Sequence, residues 1–197
     1  MKTGLYFGSF NPIHIGHLAI ANFMVEFTDL DEVWFVVSPH NPLKKRATLL
    51  EDHHRLRLVE LATDDDDRFS VSDIETKMPQ PSYTIDTLTW LKEKYPGREF
   101  GLIMGGDNLA TLNKWKNAAE IVRNFTLYVY PRKEKDISVS KAVEELIKMA
   151  SIVIAEAPLM EISGTFIRDS IASRKDIRHF LPAKVWTYID EMNFYRK

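Results

Sequence analysis

The chain has 197 residues, of which 45% are hydrophobic and 27% are charged, and its formal net charge is −2 at pH 7. This profile is typical of a globular protein that buries one core, so we expect a single domain over residues 1–197. A net charge near zero gives no bulk attraction to nucleic acid or to an anionic membrane, and we expect neither as a partner. The absence of cysteine excludes disulfides, thiolate metal ligands and cysteine nucleophiles.

The first ten residues, MKTGLYFGSF, lack the apolar stretch of about 7–15 residues that marks a signal peptide. No run reaches the roughly 20 apolar residues of a membrane span. The sequence therefore predicts a cytoplasmic protein, and it is compatible with a homo-oligomer.

Apolar strand patterns alternate with amphipathic helix patterns along most of the chain. In chain order they predict a strand over 3–7, a helix over 17–27, a strand over 32–38, a helix over 52–63, a strand over 69–74, a helix over 83–95, a strand over 99–106, a broken helix over 112–124, a strand over 125–131, a helix over 139–150 and a strand over 151–157. Parallel strands need crossover connections, and these place helices over the sheet. The fold predicted is α/β, a doubly wound, Rossmann-like parallel sheet with helices on both faces.

The remaining residues hold no strand pattern. We therefore expect a core over 1–157 and a C-terminal helical segment over 158–197, whose last helix opens at Leu181-Pro182. The acidic run TDDDD (63–67) is either a metal site or a solvated loop. The loop is favoured, because neither glycine nor glutamate follows at the spacing of a calcium loop.

The stretch GSFNPIHIGH (8–17) occupies the first strand-to-helix turn, where a parallel sheet offers backbone N–H groups to a ligand. Gly8 permits a close turn, and Ser9 adds a hydroxyl donor. His14 and His17 lie one helical turn apart, so both can donate to one anion. The alternatives are surface or capping histidines, or a metal pair. The metal pair is disfavoured because no acidic partner is nearby, and neither the P-loop nor the Rossmann glycine spacing is present.

Near the other end of the chain, ISGTFIR (162–168) is typical of a helix start. Ser163 and Thr165 supply hydroxyls there, and Arg168 can fork onto phosphate oxygens from the same side. Taken alone, this segment would be an ordinary helix cap with a surface arginine. Combined with the first loop, it predicts a phosphate clamp.

These two motifs resemble the two signatures of the HxGH nucleotidyltransferase superfamily. Over nearly its full length the chain also resembles the bacterial nicotinate-mononucleotide adenylyltransferases, through PSYTIDTL (81–88), LIMGGDNL (102–109), Trp115 and the closing FLPAKVWTYIDEMNFYRK. The resemblance implies ATP and nicotinate mononucleotide as substrates, deamido-NAD and pyrophosphate as products, and a role in NAD biosynthesis. It also implies Mg²⁺ carried by the ATP triphosphate, with no metal held by the protein itself.

The resemblance further implies which residues act. The catalytic residues would be His14, His17 and Arg168. Contacts to ATP would come from Gly8, Ser9, Phe10, His14, His17, Gly105, Asp107, Ile162, Ser163, Thr165 and Arg168, and contacts to the mononucleotide from Lys44, Lys45, Tyr83, Thr84 and Trp115. Trp115 is either a partly buried anchor or, as the resemblance implies, a platform that stacks on the pyridine ring. Arg55 matches a basic position of the family, or it only pairs with nearby acidic residues.

Three residues depart from the family pattern. Lys116 stands where an aromatic residue often follows the tryptophan, which makes the ring pocket more open or more cationic and leaves acid or amide specificity undecided. Gly164 replaces serine or alanine, and Asn11 replaces aspartate. The alternative functions are adenylylation of nicotinamide mononucleotide or phosphopantetheine, and a regulatory nucleotide-binding module without turnover.

Overall fold

The apolar runs of the sequence form the strands of one parallel sheet in the computed structural model, which describes residues 1–39, 49–132 and 139–196. The strands are β1 (Lys2–Gly8), β2 (Glu32–Val37), β3 (Phe69–Ser72), β4 (Glu99–Gly105), β5 (Thr126–Tyr130) and β6 (Ile152–Ile154). Their order across the sheet is β3-β2-β1-β4-β5-β6, with every neighbouring pair parallel. The predicted doubly wound, Rossmann-like fold is confirmed.

Helices connect these strands and follow the last one. They are α1 (Ile15–Phe27), α2 (Asp52–Thr63), α3 (Ile74–Lys77), α4 (Thr84–Lys94), α5 (Gly106–Leu109), α6 (Ala118–Asn124), α7 (Lys141–Lys148), α8 (Gly164–Ala172) and α9 (Ala183–Glu191), with 3₁₀ helices at Leu112–Lys114 and Arg178–Phe180. The predicted break in the helix over 112–124 is confirmed, because residues 115–117 separate a 3₁₀ turn from α6.

Two hydrophobic clusters cover the two faces of the sheet. Successive side chains of a strand point to opposite faces, and in β1 Leu5 belongs to one cluster while Tyr6 belongs to the other. The cluster around Tyr6 receives side chains from α1, α2, α8 and α9. The cluster around Leu5 receives them mainly from α4 and α6. The C-terminal helices therefore complete the core on the face that also carries α1.

Most element boundaries differ from the predicted ones by one or two residues, and three of the differences have a clear structural reason. The strand predicted over 69–74 ends at Ser72, where its pairing with β2 stops, and α3 follows it without having been predicted. Helix α1 begins at Ile15, two residues earlier than expected, because His14 already occupies the N-cap position. The last strand, predicted over 151–157, is limited to the three residues that pair with β5.

The acidic run at 63–67 is held by ordinary ion pairs. Asp64 pairs with Lys184 at 2.6 Å, and Asp66 pairs with Arg68 at 2.6 Å. These contacts fit the solvated loop that the sequence favoured. In the part of the chain that the structure describes, no helix has the length and apolar character needed to cross a bilayer.

Candidate active site

The carboxyl ends of β1 and β4 lie side by side at the centre of the sheet, where the strand order reverses direction. Ligands of open α/β sheets bind in the crevice that such a reversal creates. The loop after β1 leads into α1, and Gly105 at the end of β4 leads into α5. The sequence-predicted ATP residues of both loops therefore meet at one edge of the sheet.

The loop after β1 is tightly packed around Phe10. A Cβ on Gly8 would lie 2.8 Å from the end of the Phe10 ring, so only glycine leaves room for that ring. Phe10 itself is buried and has a φ of 40°, in the left-handed region that non-glycine residues rarely adopt. Such strain is often found at functional sites. The Phe10 ring also packs edge-on against His17, with centroids 5.1 Å apart, and so it supports that imidazole.

His14 and His17 lie together at the start of α1. Their rings stack with centroids 3.7 Å apart, and the backbone N–H of His14 donates to Nδ1 of His17 at 3.3 Å. Because Nδ1 accepts this hydrogen, the hydrogen that the His17 ring can itself donate is the one on Nε2. The nitrogen that can donate to an anion is thus set by the helix start itself.

The second motif contacts the first loop directly. Ser163 is the N-cap of α8, and its Oγ accepts from the backbone N–H of Phe166 at 3.2 Å. Arg168 donates to the Thr165 hydroxyl at 3.2 Å and to the backbone carbonyl of Asn11 at 2.7 Å. The structure therefore brings Ser163, Thr165 and Arg168 beside the loop that carries the histidine pair.

The close approach of these segments explains the glycine at position 164. A Cβ there would lie 2.9 Å from the Asn11 carbonyl oxygen and 3.2 Å from an Arg168 nitrogen. Asn11 also uses its side chain, because its Oδ1 accepts from Tyr195 Oη at 2.8 Å and from the Leu50 N–H at 3.2 Å. Ile162 packs against the cluster that contains Ile13 and Ile20, just before α8 begins.

Asp107 follows β4 and has a partner that the sequence did not reveal. Arg132, two residues after β5, lies 3.5 Å from the Asp107 carboxylate and donates to Tyr130 Oη at 3.3 Å. Tyr130 Oη in turn lies 3.0 Å from the hydroxyl of Tyr6. The missed signal was the sequence YPR, which places Arg132 at the same carboxyl edge as the other predicted residues.

The predicted acceptor residues divide into a described and an undescribed group. Lys44 and Lys45 lie outside the described residues. Tyr83 is the N-cap of α4 and is 42% exposed, Thr84 is the first residue of that helix, and Trp115 packs partly buried against the Leu5 cluster. Lys116 joins the two segments, since its Nζ lies 4.5 Å from the centre of the Tyr83 ring.

Comparisons with known proteins show which family this chain resembles. A family model described as "Cytidylyltransferase-like" matches residues 5–170. A protein from Flavobacterium johnsoniae, named a probable nicotinate-nucleotide adenylyltransferase, is 58% identical over 197 residues and 100% of both chains. A protein of the same name from Bacteroides thetaiotaomicron is 47% identical over 97% of this chain and 92% of its own.

The chain belongs to the nicotinate-nucleotide adenylyltransferase family. Among solved structures, the nicotinic acid mononucleotide adenylyltransferase of Plasmodium falciparum complexed with NaAD superposes with a TM-score of 0.77. That superposition covers 98% of this chain and 97% of the other at 19% identity, and it shows the shared fold. As a member of this family, the protein is an enzyme of the nucleotidyltransferase class.

Arg55 is the residue of this adenylyltransferase that sequence reasoning interpreted least well. Its side chain is fully buried and, among the described residues, contacts one carboxylate, that of Asp52. Its other hydrogen bonds there go to backbone carbonyls, those of Ser9 and Ser38 at 2.6 Å, of Leu50 at 3.0 Å and of Pro39 at 3.5 Å. Arg55 therefore fastens the start of the loop after β1 to the segment after β2 and to the start of α2.

Glu75 is, like Arg55, a buried charged residue, and it contacts α4, the helix that begins at the predicted acceptor residue Thr84. Its carboxyl group is buried and accepts from the Thr87 hydroxyl at 3.0 Å, within α4. Burial raises the pKa of Glu75, while hydrogen bonds with Ser38, Thr87 and Ser82 act against that shift. Glu75 could not be singled out from its sequence pattern, because it lies in the short helix α3 that was not predicted.

Burial and the nearby charge of Arg132 lower the pKa of His14 from 6.5 to about 4. His14 is 4% exposed, and in the described part of the chain its Nδ1 has no hydrogen-bond partner. The ring is therefore neutral at pH 7, so any hydrogen bond that it donates comes from a single N–H rather than from an imidazolium.

This lowered pKa predicts that the protein loses stability in mild acid. The unfolded chain takes up the His14 proton near pH 6.5 and the folded chain only near pH 4, so acid between these values favours unfolding. At about 1.4 kcal/mol per pKa unit, the free energy of unfolding should fall by about 3 kcal/mol across this range from His14 alone. Urea unfolding at several pH values would measure it. In His14→Gln the fall in the free energy of unfolding over the same pH range should be smaller by about 3 kcal/mol. An equal fall in the two proteins would contradict the prediction.

Proposed function

We propose that this protein transfers the adenylyl group of ATP to nicotinate mononucleotide, giving deamido-NAD and pyrophosphate, as a step of NAD biosynthesis. The observation that carries the proposal is the contact of Arg168 with the Asn11 carbonyl, at 2.7 Å. It joins the ISGTFIR segment to the loop of His14 and His17, although 157 residues separate the two partners. This contact supports the proposal that the two segments form the two halves of a triphosphate clamp.

The reaction needs positioned reactants and stabilised charge rather than a protein nucleophile. A phosphate oxygen of the mononucleotide attacks the α-phosphorus of ATP, and the bond from that phosphorus to the bridging α–β oxygen breaks. Negative charge develops on the departing pyrophosphate. His17, through Nε2–H, and the neutral His14 donate to the α- and β-phosphates, while Ser163, Thr165 and Arg168 hold the β- and γ-phosphates as they leave.

The other proposed ATP contacts come from residues that lie near the same edge of the sheet. Gly8, Ser9, Phe10 and Gly105 provide close backbone approach beside the phosphates and the adenosine, and Ile162 provides an apolar contact. Asp107 accepts hydrogen bonds from ribose hydroxyls. Its partner Arg132 supports this role by holding the carboxylate in place from the end of β5.

Magnesium enters as part of the substrate, bound to the ATP triphosphate. The two motifs GSFNPIHIGH and ISGTFIR offer imidazole, hydroxyl and guanidinium groups and contain no carboxylate. Mg²⁺ prefers oxygen ligands and keeps several waters, and triphosphate oxygens suit it better than imidazoles. We further propose that the enzyme acts in the cytoplasm as one nucleotidyltransferase domain over residues 1–197.

The mononucleotide lies on the side of β2, α4 and the 112–117 segment. Backbone N–H groups at Tyr83 and Thr84 bind the nicotinate group, and Trp115 stacks on the pyridine ring. Lys44 or Lys45 binds the mononucleotide phosphate.

A pyrophosphate-release assay tests the reaction. Purified protein with ATP and magnesium should release pyrophosphate rapidly with nicotinate mononucleotide, and deamido-NAD should accumulate in equal amount. Nicotinamide mononucleotide and phosphopantetheine serve as comparison acceptors. Release with none of the three would refute catalysis, and faster turnover of phosphopantetheine would refute the acceptor.

Replacing Trp115 with alanine tests the ring site. We expect the KM for nicotinate mononucleotide to rise about 10-fold, the cost of one lost aromatic stack, with a smaller change in the KM for ATP. Trp90→Ala is the matched control, because Trp90 is also partly exposed but lies on α4 beneath Lys94. A larger rise in the KM for ATP would mean that adenine stacks on Trp115.

A further inference from the structure

Lys116 lies between the two segments that we assign to the nicotinate group. Its Nζ is 4.5 Å from the centre of the Tyr83 ring and 2.8 Å from the Asp86 carboxylate. The Lys116 and Asp86 side chains are each 43% exposed, so this ion pair lies at the mouth of the site rather than in its interior. Trp115, the adjacent residue, packs against the Leu5 cluster and fixes the backbone from which Lys116 extends.

The two mononucleotides that could use this site differ at one group. Nicotinate carries a carboxylate on its pyridine ring, and nicotinamide carries a neutral carboxamide in the same place. The energy of stacking on an aromatic side chain differs little between the two mononucleotides, since both pyridine rings present the same face. A cation near the ring substituent distinguishes the two groups, because an ammonium forms a hydrogen-bonded ion pair with the carboxylate but only a weaker hydrogen bond with the neutral amide oxygen.

We propose that Lys116 is a specificity residue that makes this enzyme prefer the acid mononucleotide. The inference rests on the proposed function and on the assignment of Tyr83 and Trp115 to the ring site. A lysine ammonium has three hydrogens, so Lys116 can keep its bond to Asp86 while donating to the substrate carboxylate. Asp86 holds the ammonium over Tyr83 and, by its own charge, limits how strongly the second carboxylate binds.

The ratio of kcat/KM for the acid to kcat/KM for the amide measures this role. In Lys116→Gln the ratio should fall about 10-fold, the size expected for one charge-assisted hydrogen bond at a half-exposed site, mainly because the KM for the acid rises. Lys116→Arg, which keeps the charge, should retain most of the ratio. Lys184→Gln is the matched control, since Lys184 is a half-exposed lysine that also pairs with an aspartate, Asp64, but extends from α9 and should leave the ratio as it is.

Ionic strength gives an independent reading that a purely structural role would not produce. The acid-to-amide ratio of the natural enzyme should fall as salt rises from about 0.05 to 0.5 M, and the ratio of Lys116→Gln should depend less on salt. An unchanged ratio in Lys116→Gln, or equal losses with both mononucleotides, would overturn the inference. If the natural enzyme adenylylates neither mononucleotide, the proposed function itself fails, which is a different result.

Discussion

Replacing His17 with alanine is expected to lower kcat by about 10²–10³ while the protein stays folded, which is the usual cost of removing one preorganised donor to a developing anion. The ring is partly exposed, stacks on His14 and receives the His14 N–H on Nδ1. Its loss removes one donor from the crevice, together with ring contacts to His14 and Phe10 at the edge of the core. Because the charge on the leaving pyrophosphate grows in the transition state, kcat should fall more than the affinity for ATP.

The position of the donated hydrogen on Nε2 of His17 makes this prediction more specific. If Nε2 carries the donated hydrogen, the side-chain amide of His17→Gln reaches closer to that position than the amide of His17→Asn, and it should recover more of the lost rate. Pyrophosphate release at saturating ATP and mononucleotide measures each variant. His53→Ala is the control, because His53 is an exposed histidine at the start of α2. An unchanged rate in His17→Ala would refute the assigned role, and better recovery by asparagine would refute the tautomer.

The sequence could predict those parts of the fold that depend on local patterns. Apolar runs of strand length, separated by helix patterns, predicted all six strands of the sheet. His14 and His17 were predicted to act together because a three-residue spacing at a helix start brings side chains to one side, which is a local property. The Ser163 cap of α8 was also predictable, because its bond to Phe166 spans three residues.

The remaining features depend on contacts between distant parts of the chain. Arg132 meets Asp107 across two strands, and Tyr195 reaches Asn11 across 184 residues. No spacing rule relates such pairs. Gly164 is an example. The sequence shows that this residue is glycine, but only the structure shows that the Asn11 carbonyl lies where a side chain would begin.

Arg55→Met is expected to lower the free energy of unfolding by about 3–5 kcal/mol, the cost of removing one member of a buried charged hydrogen-bond network. Methionine fills much of the apolar stem but cannot donate. The carbonyls of Ser9, Ser38 and Leu50 would then lose their guanidinium donor. Arg55→Lys should recover little, because a lysine amine cannot reach these carbonyls and Asp52 from one position.

Urea unfolding at pH 7 measures the loss, and Arg57→Met is the matched control on the same helix. The Arg57 side chain is 54% exposed and pairs only with the exposed Glu60 in the described structure, so its removal should cost about 0.5 kcal/mol or less. Equal effects of the two substitutions would contradict the network role of Arg55. Because Ser9 belongs to the proposed ATP loop, Arg55→Met should also raise the KM for ATP at temperatures where the variant is still folded. A stability loss with an unaltered KM would mean that Arg55 holds the core together but does not shape the ATP loop.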